Sequence, residues 1–333
     1  MATEGNRLPL HAFSHNQLAM FSNNFANENI IGQGGSATVY RGRMPEWSQI
    51  LGLPIAIKHI RPYRARQNDT ATKIARGNEI TRQLYQAEID SLSLPQLQSP
   101  HILRLLGHGV SENTTEGHYL VYEMLDGQTL NQKLENDVDT MTWENVLTII
   151  KGVAKGISVI HRSNFIHGDL KPHNIIVRED CHPVIIDFGS ITVQGTKRQY
   201  GWTGGYVPLE AHNMMYEPVP SSKVYDIYSF GLVMMHAIML SRSLSISDGH
   251  GSLLHIKEIA RQRAHTGNIV DIKLMERGCT LREATKITKL ALKCTEDDEE
   301  ERPTIAKIIS KLDGLNLTKA EKWKKRGKRI LHL

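Results

Sequence analysis

The sequence has little cysteine and no long apolar run. Its three cysteines, Cys181, Cys279 and Cys294, are odd in number and far apart. That argues against a disulfide framework or a zinc site and suits a reducing compartment. The most apolar stretch, residues 228–240, is shorter than the ~20 residues of a membrane span and reads as a buried helix. The first ten residues, MATEGNRLPL, lack the apolar core of a signal peptide, Ala2 excludes the N-myristoylation pattern, and neither end carries a prenylation signal. A formal charge of +5 is modest for this length, and basic and aromatic residues do not interleave, so nucleic acid is not expected as a partner. No internal repeat is apparent. These absences point to a cytosolic chain without a transmembrane segment.

What is present is ordinary in composition, with 40% apolar and 23% charged residues. A length of 333 residues leaves room for two lobes with substantial cores, since domains typically run ~100–200 residues. The chain is organised around residues 166–189, IHGDLKPHNIIVREDCHPVIIDFG. Gly168 and Pro172 keep HGDLKPHN out of a helix. Two short apolar runs, Ile175–Val177 and residues 183–186, flank a polar turn and predict a hairpin. Asn174 and Asp187 then stand at its open end, where paired residues lie ~4.5–5.5 Å apart and can share metal ions. Asp169, on the loop before them, is placed to take a proton from a bound hydroxyl. A base beside two hard-cation ligands is the layout of metal-assisted phosphoryl transfer.

Earlier in the chain, residues 1–25 are polar with a few apolar side chains (Phe13, Leu18, Met20, Phe21, Phe25) and predict a short amphipathic lead-in. IGQGGSATVYRGRM follows, its glycines forming a turn between two strands. Read alone it is as much a plain hairpin as a phosphate cradle. For phosphate speak Gly32 and Gly34, which let backbone N–H groups approach without a Cβ in the way. A Walker A loop is excluded because no Lys-Ser/Thr pair follows. The next strand, residues 53–60, alternates so that Ala56 and Lys58 share one face, an apolar floor beside an ammonium. A lysine in a strand is usually just solvent-facing. Residues 61–79 read as a solvated basic loop, and residues 79–94 as a helix carrying Glu88, of interest only as a partner for Lys58. Residues 102–106 and 119–125 read as strands. Thr142 caps a strong amphipathic helix leading to residue 166, and the pattern from 224 to about 313 is mostly helical. The six consecutive acids of residues 296–301 read as an interhelical loop. KAEKWKKRGKR, residues 319–329, holds seven basic residues and reads as a solvated tail, with acidic-lipid binding or nuclear import as runner-up.

In order, Gly32-x-Gly34-x-x-Ala37-x-Val39, Lys58, Glu88, HGDLKPHN, DFG and PLE resemble the signature set of eukaryotic protein kinases over roughly residues 26–315. FSHNQLAMFSNNFANENIIGQGGSATVYRG and LVYEMLDGQTL are similar to the plant receptor-like kinase/Pelle family; with no ectodomain or membrane span, the chain resembles its receptor-like cytoplasmic kinases, or the excised kinase part of a receptor. The resemblance implies an α+β, bilobal fold: a lead-in (1–25), a β-rich N-lobe with one main helix (26–124), a mostly helical C-lobe (125–315) and a basic tail (316–333). It implies a serine/threonine protein kinase that uses ATP and Mg²⁺, takes protein substrates, answers to an upstream membrane receptor kinase, and is cytoplasmic, with the inner face of the plasma membrane as a second placement.

The resemblance also distributes roles. Ile31, Gly32, Gln33, Gly34, Gly35, Ser36, Ala37, Thr38 and Val39 would cover the nucleotide phosphates. Lys58, held by Glu88, would contact the α- and β-phosphates. Ala56 and Ile176 would line the base, Tyr122 stands at the gatekeeper position, and the backbones of Glu123 and Leu125 would bond adenine. Asp169 would orient and deprotonate the acceptor, with Lys171 steadying the phosphate. Lys171 and Thr203 mark the serine/threonine class. Asn174 and Asp187 would hold Mg²⁺, Glu210 would pair with Arg302, and Asp226 would brace the catalytic loop. Two departures stand out. Gly168 replaces the arginine that usually precedes the catalytic Asp, so phosphorylation at Thr192, Thr196 or Tyr200 is not expected to act through it. Pro208-Leu209-Glu210 stands where Ala-Pro-Glu is usual. A nucleotide-binding pseudokinase scaffold is the alternative reading, and a small-molecule kinase a third.

Overall fold

The computed structural model describes residues 8–45, 52–65, 67, 69–110, 117–198, 203–212, 219–247 and 253–315. The basic tail and Tyr200 lie outside the described residues. The chain forms two compact units, one of residues 1–126 with 186–191, the other of residues 127–185 with 192–333.

The first unit is built on a six-stranded sheet. Its strands are β1 (His11–Phe13), β2 (Ile30–Gln33), β3 (Ala37–Arg43), β4 (Pro54–Ile60), β5 (Leu105–Val110) and β6 (His118–Glu123), in the order β1-β5-β6-β4-β3-β2. The expected alternation in β4 holds: Ile55 and Ile57 are fully buried, while Ala56 and Lys58 share the less buried face. β5 begins three residues later than the pattern of residues 102–106 predicts. Gly107 and Gly109 dilute its apolar signal for a reason. A Cβ at Gly107 would lie 2.4 Å from the His11 carbonyl, and one at Gly109 would lie 2.6 Å from that of Phe13. Both glycines make room for β1, which pairs with β5 in parallel.

The expected lead-in is therefore part of the sheet, and helix α1 (His15–Phe21) continues it into the core. Ser14 and Gln17 close a capping box at the start of α1. Leu18 and Phe21 pack with Met44, Ile55, Ile57, Tyr119 and Val121. The long helix α2 (Ala71–Leu92) starts eight residues before the predicted boundary of 79. Thr70 caps it by accepting from the Lys73 N–H. Its first turns are held from outside: the Tyr63 N–H donates to Asn78 at 2.8 Å, and the Tyr63 ring lies where a Cβ of Gly77 would be. The segment read as a solvated loop thus folds back onto its own helix.

The second unit is mostly helical. It opens with β7 (Gln128–Thr129), α3 (Leu130–Asn136) and α4 (Trp143–Arg162), then β8 (Phe165–Ile166), β9 (Ile175–Val177) and β10 (Pro183–Ile185). As expected, Thr142 caps α4, with Asn145 completing the box. β9 and β10 form the predicted hairpin with Ile175 opposite Ile185, and β7 joins its edge. The chain continues through β11 (Thr192–Val193), β12 (Lys197–Arg198), α5 (Leu209–His212), β13 (Val219–Pro220) and α6 (Lys223–Ile238). It then passes β14 (Ser245–Ser247), β15 (Leu253–His255), α7 (Ile256–Thr266), α8 (Ile272–Glu276), α9 (Leu281–Cys294) and α10 (Ile305–Asp313). Residues 225–238 of α6 are all buried, which fits a helix apolar on every side. The acidic run lies between α9 and α10, and its Asp297 ties back to Lys257 and Arg261 of α7.

Candidate active site

In the first unit Gly32 lies in β2, and the turn between β2 and β3 holds Gly34 and Gly35. None has a positive φ, and a Cβ at any of them would meet no atom closer than 3.7 Å. The fold itself does not require glycine there, so the open space above the turn favours a close-approaching ligand. Ile31 is 40% exposed beside it, and Thr38 is buried in β3.

Lys58 leaves β4 between two carboxylates, Glu88 at 2.9 Å and Asp187 at 2.7 Å. Burial by itself would lower the lysine pKa, but Asp187 and Glu88 outweigh it and hold the ammonium well above its ordinary value. Glu88 is buried on α2, and its second oxygen accepts the N–H of Phe188 at 2.9 Å. Asp187 sits in the left-handed region, φ 64 and ψ 73, which turns the chain so that the Phe188 ring is fully buried. Tyr122 is buried on β6, and burial together with the charge of Glu88 pushes its phenol well above the usual value. The Glu123 N–H donates to the Arg104 carbonyl inside the sheet, at 3.2 Å.

In the second unit Asp169 is the centre of a polar cluster. One carboxylate oxygen accepts from the Thr203 hydroxyl at 2.6 Å, the other from Lys171 Nζ at 2.7 Å and from the Asn174 amide at 3.0 Å. Lys171 also donates to Thr203 Oγ1 at 2.5 Å. Asn174 donates a second time, to the Asp169 carbonyl at 2.8 Å, which turns its amide nitrogen to Asp169 and its oxygen away. Ile176 is the less buried residue of β9, on the face opposite to Ile175 and Val177.

The backbone under this cluster is fixed by Asp226 of α6. Its carboxylate accepts the His167 N–H at 2.9 Å, the Gly168 N–H at 3.0 Å and His161 Nε2 at 2.9 Å. Burial alone would raise its pKa, yet these bonds, that of His161 foremost, hold it below the usual carboxylate range. Glu210 meets Arg302 at 2.5 Å, as expected, and the guanidinium lies 5.1 Å from the Tyr228 ring centre. Sequence reasoning missed His161, the Phe188 bond to Glu88, and Arg61, whose contacts to the glycine turn are described below. No local signal marked Arg61: it directly follows the strand in which Ile60 stands opposite Ala37, a register that only the fold sets.

The family model described as a protein kinase domain matches residues 25–312. The chain is similar to the G-type lectin S-receptor-like serine/threonine-protein kinase B120 of Arabidopsis thaliana, 29% identical over 95% of this chain and 35% of the relative. It is similar to the probable LRR receptor-like serine/threonine-protein kinase At5g10290 of Arabidopsis thaliana, 26% identical over 94% of this chain and 49% of the relative. The same identity and coverages hold for the LRR receptor kinase SERK2 of Oryza sativa subsp. japonica. The chain thus spans between about a third and a half of the length of these curated relatives. Among the described residues no helix is long and apolar enough to cross a membrane.

Proposed function

The chain belongs to the protein kinase domain family, and from that premise we propose that it transfers the γ-phosphate of ATP to serine and threonine hydroxyls of protein substrates. The observation that carries this reading is the Asp169 cluster, a carboxylate held by a lysine, an amide and a threonine hydroxyl at 2.6–3.0 Å. Asp169 accepts the proton of the attacking hydroxyl. Lys171, already bridging Asp169 and Thr203, steadies the transferring phosphate, and Thr203 completes the serine/threonine pattern.

The residues present fit the nucleotide and the metal. The turn at Gly34 and Gly35, within residues 31–39, offers backbone N–H groups without steric cover, and Lys58 is an ammonium kept charged, suited to the α- and β-phosphates. By the family's pattern Ala56, Ile176 and Tyr122 would wall a base pocket, with the Glu123 carbonyl and the Leu125 N–H as its polar edge. Asn174 and Asp187 supply amide and carboxylate oxygens, the donors a hard cation prefers. In the same family pattern these two residues would hold Mg²⁺, which would supply neutralisation of charge on the phosphates. Relatives named as receptor-like kinases support a place in receptor-linked signalling, with a receptor kinase upstream. The buried free thiols Cys181, Cys279 and Cys294 suit a cytoplasmic setting.

Incubation with Mg²⁺ and radiolabelled ATP, followed by mass-spectrometric mapping, tests the reading. Phosphate is expected on serine and threonine in the wild type and not in Asp169→Asn. Equal incorporation by both, or phosphate confined to tyrosine, would overturn it.

A further inference from the structure

Arg61 follows directly on β4 and turns back over the glycine turn. Its guanidinium donates to the Gly34 carbonyl at 2.6 Å, the Gly35 carbonyl at 3.1 Å and the Thr38 hydroxyl at 3.0 Å. Its backbone N–H donates to the Ser36 carbonyl at 2.9 Å. Three successive carbonyls of the turn therefore bond to one residue. In a trans peptide the C=O and the following N–H point in opposite directions. The carbonyls of Gly34 and Gly35 share one guanidinium nitrogen, which turns the N–H groups of Gly35 and Ser36 away from Arg61, while the Ser36 carbonyl is held separately by the Arg61 backbone N–H. A run of N–H groups with a common direction is an anion-binding concavity.

A glycine turn is by itself poorly ordered, because glycine gives up more backbone freedom on ordering than any other residue. That entropy is lost when a ligand orders the turn, unless something has ordered it beforehand. We propose that Arg61 is a positioning residue for the nucleotide, holding the glycine turn in the form in which its N–H groups receive phosphate. The inference rests on the kinase reading above. It assigns Arg61 no contact with the reacting atoms. The planar fork of arginine spans three acceptors at once, which the compact ammonium of lysine on its flexible stem does not reproduce.

The test compares wild type, Arg61→Ala and Arg61→Lys by two independent readouts. Amide hydrogen exchange of Gly34, whose N–H donates to the Ala37 carbonyl across the turn at 2.9 Å, reads the restraint without nucleotide. It is expected to speed up at least ten-fold in Arg61→Ala and by less in Arg61→Lys, while exchange in β6 stays unchanged. Steady-state kinetics are expected to show KM for ATP raised about five- to twenty-fold in Arg61→Ala, with kcat within three-fold and an intermediate KM in Arg61→Lys. Unchanged exchange in the turn would overturn the proposal, as would faster exchange with unchanged KM. An equal fall in kcat with an altered melting temperature would also overturn it, since that is the mark of a merely structural residue. If the wild type transfers no phosphate, the kinase reading fails. The affinity for a fluorescent ATP analogue then replaces KM, and no difference between wild type and Arg61→Ala overturns the proposal.

Discussion

One carboxylate oxygen of Glu88 holds the Lys58 ammonium at 2.9 Å, while its other oxygen accepts the N–H of Phe188, also at 2.9 Å. The glutamate thus fixes at once the lysine of a strand and the backbone turn that presents Asp187. Replacing it by alanine leaves a buried N–H without its acceptor, a loss of about 1–3 kcal/mol. Glu88→Gln keeps an acceptor for Phe188 but removes the charge opposite Lys58. Urea denaturation is expected to show the larger loss in Glu88→Ala, and phosphate transfer is expected to fall in both. Equal stability of Glu88→Ala and wild type would show that the Phe188 bond contributes nothing.

Lys58 and Asp187 carry the charges proposed to meet phosphate and metal. Removing a charged transition-state contact costs roughly 10²–10³ in rate. Lys58→Ala and Asp187→Ala are each expected to lower transfer by that order, measured by radiolabelled phosphate incorporation under saturating ATP.

Gly168 has φ 81, and its N–H bonds to Asp226 at 3.0 Å. An L side chain in the left-handed region costs roughly 1–2 kcal/mol. Gly168→Ala and Gly168→Arg are both expected to lose about that much stability by urea denaturation. With glycine here, no guanidinium at this position awaits a loop phosphate. Alanine at Thr192 and Thr196 is therefore expected to leave the transfer rate within a few-fold, and a collapse would show a different phosphate receptor.

Arg302 is fully buried at its side chain and faces Glu210 at 2.5 Å. Removing one partner of a buried pair strands the other charge, at about 3–5 kcal/mol. The Glu296 carbonyl, 2.9 Å from Arg302 Nε, remains as an acceptor, so Glu210→Ala is expected at the lower end of that range. Thermal and urea unfolding measure it.

His236 is buried on α6, with Nδ1 donating to the Ser241 carbonyl at 2.6 Å and Nε2 accepting from the Tyr206 hydroxyl at 3.0 Å. Burial pushes its pKa down to about 4, from an ordinary 6.5. Below 6.5 the unfolded chain binds the proton that the folded chain refuses, so stability falls as pH falls. Its contribution is complete above 6.5 and gone once pH passes below 4. Between pH 7 and pH 5 the wild type is expected to lose roughly 2 kcal/mol more than His236→Asn in urea titrations.

Much of the candidate site is legible in the sequence because it depends on residue type and near neighbours. Period-2 alternation put Ala56 and Lys58 on one face, and the capping box at Thr142 started α4 where it was expected. Gly168 and Pro172 kept the chain around Asp169 out of an α-helix, although Pro172–Asn174 take a single 3-10 turn, and β-branched runs on either side of a polar turn made the hairpin of β9 and β10. Each of these rests on atoms within a few residues of one another.

What only the tertiary structure decided are the bonds that join distant segments. Glu88 is 100 residues from Phe188, and Asp226 gathers two backbone N–H groups 58 and 59 residues away. A polar, glycine-poor lead-in gives no local sign that β1 will pair with β5 or that Leu18 will be fully buried, because both depend on Gly107 and Gly109 leaving space far along the chain. Arg61 likewise looked like one charge among several until the register of β3 and β4 set it beside the glycine turn. The sequence alone determined which chemical groups the chain carries and the local elements that bear them; the closing of the sheet and the packing of α2 decided which of those groups are restrained, because a restraint needs a partner that only the fold brings near.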